Sequence, residues 1–172
     1  YGDGYERHRQ RSTAAHNTVV IDGLNSSEVW AGFRVAKRAY PYDVTFDKRP
    51  NKVSLKAAHS GYHRLSGKVT HKRTWTATKD QLTIEDTVDG KYKSAEGCWH
   101  LHPDVKAEII KPSTVRILLS SGDAIYLQLI GSNVSLRQST WHPGFGLSID
   151  NICIIYSFAQ PTVATKIYWS KR

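Results

Sequence analysis

The sequence predicts an all-β protein, an antiparallel, supersandwich-like β-sandwich of many short strands with essentially no helix. Three observations predict it. Segments of about four to eight residues alternate apolar and polar side chains, the period-two pattern of a half-buried strand. Turn signals such as Asp22-Gly23, Lys79-Asp80, Asp89-Gly90 and Ser121-Gly122-Asp123 bound them. No stretch reads as a convincing helix, and many short strands joined by tight turns imply two sheets packed face to face. A barrel is the alternative, but the long basic strands suit an open sandwich with one solvated face.

The elements follow in order. A basic and aromatic run, Tyr5, Arg7, His8 and Arg9, leads into Arg11-Ser12-Thr13-Ala14-Ala15-His16-Asn17-Thr18. The β-branched residues Val19, Val20 and Ile21 form the first strand. Residues 28–35 are aromatic and β-branched, Pro41 interrupts, and 43–47 and 52–58 read as further strands. Residues 67–78 are long and basic, with Val69 and Trp75 inward. Leu82, Ile84 and Val88 alternate with Thr83, Glu85 and Thr87, and Asp89-Gly90 marks a hairpin. Residues 95–102, 105–110, 115–119, 125–130 and 134–140 continue the pattern. Leu147 to Ile149 turns at Asp150-Asn151 into 152–156, which is apolar on both faces and reads as a central strand. Val163, Ile167 and Trp169 close the chain.

Composition bounds the function. The 172 residues are 40% hydrophobic and 23% charged, which is globular and not disordered. With no repeat or linker they read as a single domain, 1–172, large enough to bury a core. No apolar run approaches the ~20 residues of a membrane span. The chain starts at Tyr1 and contains no methionine, so it is expected to be part of something longer, with any export signal upstream. The net charge of +9 favours a polyanionic partner. No nucleic-acid motif is visible, so no nucleic-acid partner is expected, and a sugar polyanion fits the charge at least as well.

Several residues could carry chemistry. His16, at the mouth of a strand beside an amide and hydroxyls, is placed to bind a metal or move a proton, or is a satisfied structural histidine. His100 and His102 stand two apart on one strand, a possible metal pair, or an outward-facing pair opposite a core-facing Trp99 and Leu101. His142, beside Trp141 in a Pro-Gly turn, suits sugar stacking or a simple cap. Cys98 and Cys153 are a possible disulfide if the chain is exported, or two buried free thiols. Asn25-Ser26-Ser27 and Asn133-Val134-Ser135 match the short glycosylation pattern.

Residues 1–41 resemble a segment of the heparinase II/III-like polysaccharide lyases. The carrying residues are Arg11-Ser12-Thr13, then Ala15-His16-Asn17-Thr18-Val19-Val20-Ile21-Asp22-Gly23, then Glu28-Val29-Trp30 and Phe33-Arg34. Trp99-His100-Leu101-His102-Pro103 and Trp141-His142-Pro143-Gly144-Phe145-Gly146 are also similar to that family, less specifically. The resemblance implies the C-terminal β-sandwich of an enzyme whose N-terminal α/α toroid is not in this sequence. It implies β-elimination on acidic, uronate-containing polysaccharide such as glycosaminoglycan, in the periplasm or outside a bacterial cell. It also implies zinc, held by the histidine matching His16 with a histidine and an aspartate upstream of this sequence. Arg11, Asn17, Trp30 and Arg34 are then candidates to bind substrate or support the site. With the base and the carboxylate clamp elsewhere, the chain alone is expected to be inactive. The rival expectations are an acidic-carbohydrate-binding module and a structural module of an exopolysaccharide system.

Overall fold

The computed structural model describes residues 4–144 and 146–169. Tyr1 and Phe145, both used in reading the sequence, lie outside them. Helix α1 (Tyr5–Gln10) and a 3-10 turn (Thr13–Ala15) precede fourteen strands. These are β1 (Val19–Ile21), β2 (Glu28–Trp30), β3 (Arg34–Ala36), β4 (Pro41–Arg49), β5 (Lys52–His59), β6 (Thr70–Ala77) and β7 (Gln81–Asp89). The rest are β8 (Ala95–His100), β9 (Lys106–Lys111), β10 (Thr114–Leu118), β11 (Ala124–Ile130), β12 (Val134–Trp141), β13 (Ile149–Ser157) and β14 (Thr162–Trp169). A four-stranded sheet, β1-β8-β13-β12, faces an eight-stranded sheet, β4-β5-β6-β7-β14-β11-β10-β9, and β2-β3 is a separate hairpin. The named pairings are antiparallel. This is the all-β sandwich that the alternation predicts.

The core lies between the sheets. Trp99 and Ile154 are register partners on β8 and β13 and pack with Ile84, Leu127 and Val163 of the large sheet. Trp99 Nε1 donates to Thr165 Oγ1 at 3.2 Å, which satisfies the one polar atom of a buried indole. A second cluster joins Val19, Ile21, Tyr62, Val69 and Val88. Full burial of such apolar side chains stabilises by roughly 1.5–3 kcal/mol each. The Tyr62 hydroxyl is satisfied by donating to the Val19 carbonyl at 3.1 Å.

A polar tie crosses this core. Asp86 is fully buried on β7. It accepts from His71 Nε2 at 2.7 Å, Arg73 Nε at 2.6 Å, Arg73 Nη2 at 3.0 Å and the Tyr156 hydroxyl at 3.0 Å. Burial alone would push its carboxyl up, but His71 and Arg73 together hold it below the usual carboxylate range. The relay extends outward. The Gly61 amide donates to His59 Nδ1 at 3.2 Å, which leaves the proton on His59 Nε2, 3.2 Å from His71 Nδ1. Burial, then the neighbouring His71, pushes His59 down to about 4. Tyr156 reaches Asp86 by lying across Gly97, its register partner, where an added Cβ would sit 2.1 Å from the phenol ring.

Four segments differ from their reading in sequence. Asp89-Gly90, read as a hairpin, instead carries the chain between sheets: β7 belongs to the eight-stranded sheet and β8 to the four-stranded one, so the two strands do not pair. Tyr5–Gln10, read as a basic run, is a short helix: Arg9 Nε donates to Glu6 Oε2 at 3.0 Å and Gln10 Nε2 to Glu6 Oε1 at 3.3 Å, pairs one turn apart. Residues 28–35 are two strands, not one, because the chain turns at Ala31, which has φ 47°. Asp150-Asn151 is not a turn but part of β13. Asn151 is buried there and donates through Nδ2 to the Leu101 carbonyl at 2.8 Å, so the strand runs through it.

Candidate functional site

The N-terminal segment roofs the outer face of the small sheet. Successive strand residues point to opposite faces, so Trp99, Ile154 and Tyr156 face the core while Cys98, His100, Cys153 and Ile155 face out. Helix α1 and the 3-10 turn cover that outward face, which explains why Cys98 and Cys153 are buried although they point away from the sandwich core. Cys98 Sγ lies 3.1 Å from the His16 carbonyl oxygen, and His100 Nε2 donates to the Ala14 carbonyl at 2.9 Å. Asn17 fixes the junction from both ends. Its Oδ1 accepts from the His100 amide at 2.7 Å, and its carbonyl accepts from Arg73 Nη1 at 2.6 Å. The polar tie of the core therefore holds the loop that carries His16.

Two cavities open beneath and beside the roof. One, of about 340 Å³, is lined by Arg7, Arg9, His100, Trp141 and His142. Arg9 Nη2 lies 2.9 Å from His142 Nε2 and also contacts Thr140. Its hydrogen bond to Glu6 holds that carboxyl down at about 2. His142 Nδ1 lies 2.9 Å from the Leu147 carbonyl. Trp141 is 37% exposed, and its ring centroid lies 4.8 Å from that of His102. Cations beside an aromatic face suit an anionic, ring-bearing ligand such as an acidic sugar.

The other cavity, of about 300 Å³, is lined by Glu96, Cys98, His100, Arg137 and Cys153. Ligand atoms of Cys98, His100 and Cys153 lie within 4.8 Å of one another, a possible metal-binding cluster. Both cysteines are free thiols. The nearness of the two thiols to each other pushes Cys98 below the ordinary thiol range and Cys153 above it, and the Cys98 sulfur 3.7 Å from Nε2 raises His100. Arg137 pairs with Cys153 in register and with Glu96 at 3.2 Å.

The residues singled out in the sequence fall into different places. His16 is exposed just after the 3-10 turn, and among the described residues no cluster of three or more potential metal ligands includes it. One imidazole falls short of the three or four ligands of a zinc site, so the residues present here do not make one at His16. Arg11 donates to the carbonyls of Ala31 at 2.7 Å and Arg34 at 2.8 Å, clamping the β2-β3 hairpin. Trp30 is 42% exposed and Arg34 is exposed, both on that hairpin. His102 lies beyond the end of β8 and pairs loosely with Asp104 at 3.5 Å, while His100 stands with Cys98 and Cys153 instead. Arg7, Arg9 and the thiol cluster were not identified as site residues from sequence. The spacing Cys98-x-His100 was visible, but Cys153 joins it only through the β8-β13 register.

Comparisons with known proteins agree with this architecture. Heparan sulfate lyase HepC from Pedobacter heparinus superimposes with a TM-score of 0.76 at 13% identity, covering 100% of this chain and 28% of that chain. The heparinase III BT4657 gene product superimposes with a TM-score of 0.76 at 17% identity, covering 100% of this chain and 27% of that one. The chain thus spans about a quarter of the length of these solved structures, and at such identities the likeness shows the fold alone. No curated protein matches the chain in sequence. The model for the C-terminal region of heparinase II/III-like proteins matches residues 1–170, and the chain belongs to that family.

Proposed function

We propose that this chain is the β-sandwich of a lyase that cleaves acidic, uronate-containing polysaccharide by β-elimination, in the periplasm or outside a bacterial cell. The family match over residues 1–170 carries the reading, and the basic cavity under Trp141 supports it. In the reaction a base takes the proton from uronate C5, the electron pair forms the C4=C5 double bond, the C4–O4 bond breaks, and an acid protonates O4. C5 becomes acidic enough only when the uronate carboxylate is neutralised. No residue of this chain is assigned as the base, and the chain alone is expected to be inactive, with an α/α toroid of the full-length protein completing the site. The chain's own contribution is binding. Arg7 and Arg9 attract the polyanion, Trp141 offers a stacking face, and Trp30 and Arg34 extend the surface. Arg11 and Asn17 act through the backbone they fix. In the full-length protein His16 would contribute one ligand to a zinc ion that steadies this loop.

The test is ultraviolet absorbance of the full-length protein incubated with heparan sulfate, alginate and hyaluronan. A rise from the unsaturated uronate on one of them is expected. A flat trace on all three, with the protein folded, would refute cleavage of these uronates. The exposed Trp141 beside cations favours a second reading, a binding module. It predicts that the 172-residue chain alone binds the same glycans, and less tightly as salt rises; no binding at low salt overturns it.

A further inference from the structure

We propose that Cys98, His100 and Cys153 form a site for a thiophilic divalent cation of the zinc class, separate from any site that uses His16. The geometry is that of a tetrahedral corner. Zn–S bonds of ~2.3 Å and Zn–N bonds of ~2.0–2.1 Å at tetrahedral angles place sulfur and nitrogen about 3.6 Å apart. Cys98 Sγ and His100 Nε2 are 3.7 Å apart, and the three ligand atoms all lie within 4.8 Å of each other. The three residues share one face of two adjacent central strands, with Cys153 directly opposite His100, so the backbone presets the triangle.

The same register disfavours a disulfide. Cys98 pairs with Ile155, which leaves Cys153 diagonal to it. Diagonal partners across an antiparallel ladder stand roughly 7–8 Å apart at Cα, beyond the ~6.8 Å reach usual for a disulfide.

The surroundings fit a cation. Two thiolates neutralise a divalent ion, and both sulfurs are buried. Metal binding releases the two thiol protons and moves the imidazole proton from Nε2 to Nδ1. There Ser139 Oγ, 3.4 Å away, can accept it and fix the ring. Asn17 holds the His100 backbone at 2.7 Å. Arg137, opposite Cys153 in the ladder, is engaged by Glu96 at 3.2 Å, and Arg9, which lines the same cavity, by Glu6 at 2.6 Å. The fourth position faces the cavity of about 300 Å³, an open site in the manner of three protein ligands plus a solvent molecule.

The experiment titrates the reduced, chelator-treated protein with Cd²⁺ and Co²⁺ and follows thiolate-to-metal charge transfer. One equivalent is expected to saturate the band. Cys98→Ser/Cys153→Ser should abolish it, and Ser139→Ala should weaken binding about tenfold. Should the serine variant fail to fold, the unmodified protein gives the second readout: one equivalent of Zn²⁺ should protect both thiols from maleimide. Absence of a charge-transfer band in the reduced protein, an undiminished band in the double variant, or thiols alkylated equally with and without Zn²⁺ would each overturn the site.

Discussion

Replacing Asp86 with asparagine isolates the charge of the tie that crosses the core. The change is nearly isosteric, so it opens no cavity, but it removes the carboxylate that Arg73 and His71 share. Asp86 accepts four hydrogen bonds at 2.6–3.0 Å and is fully buried. The Arg73 side chain is 9% exposed; after the change the amide oxygen still accepts from it and the Asn17 carbonyl still holds Nη1, but its charge has lost its counter-charge and one acceptor has become a donor. Leaving one member of a buried ion pair uncompensated costs about 3–5 kcal/mol. For a chain of this size each kcal/mol moves Tm by about 2–4 °C, so a fall of about 6–20 °C is expected. Thermal unfolding followed by circular dichroism measures it, and urea unfolding gives the loss in kcal/mol. Tyr156→Phe, which removes only the 3.0 Å bond to the same carboxylate, should lose about 1.5–3 kcal/mol. A loss under about 1 kcal/mol for Asp86→Asn would refute the view that the charge is structural.

Two further outcomes follow from the same region. His59 is held at about 4 against 6.5 when free, so below pH 6.5 the unfolded chain takes up a proton that the folded one refuses. Its contribution is complete above pH 6.5 and disappears as pH falls through about 4; at about 1.4 kcal/mol per pH unit it amounts to about 3 kcal/mol. Stability measured from pH 7 to 4 should decline, and His59→Gln should flatten the decline; an unchanged slope refutes the assignment. Gly97→Ala would set a Cβ 2.1 Å from the Tyr156 ring. It should cost at least about 1–3 kcal/mol by overpacking, and a neutral result in urea unfolding would show that Tyr156 does not lie there.

The fold was legible because its signals are local. Ile84 and Val88 alternate on β7 and turn inward as read, and 152–156 is a central strand. Asp89-Gly90 carries the local chemistry of a hairpin, with Gly90 at φ 117°, but the chain uses it to pass from one sheet to the other, which only the strand order shows. Helix α1 escaped because six residues give less than two turns of periodicity, and its evidence is in side-chain pairs. Asn151 looked like a turn residue because its buried hydrogen bond to Leu101 is not written in its neighbours. The polar tie did leave a trace that went unread. Asp86 falls on the same strand phase as Ile84 and Val88, and Arg73 on the phase of Trp75, so a charge on a core-facing phase announces a buried partner. The thiol cluster left half a trace, since Cys98 and His100 share a strand face but the third member needs the register.

Because α1 and the 3-10 turn lie over Cys98 and Cys153, the two sulfurs serve as a stopwatch for the roof. In the metal-free protein both residues are buried, and lifting of that segment bares their sulfurs to a thiol reagent without opening the core between the sheets. Their alkylation rate therefore times a local opening that is independent of global unfolding. The loop bearing His16 is anchored to the same roof through the His16 carbonyl beside Cys98 and through Asn17 on His100. Whatever engages that loop should slow the clock, so sulfur chemistry on one face of the small sheet becomes a readout of occupancy at its neighbour.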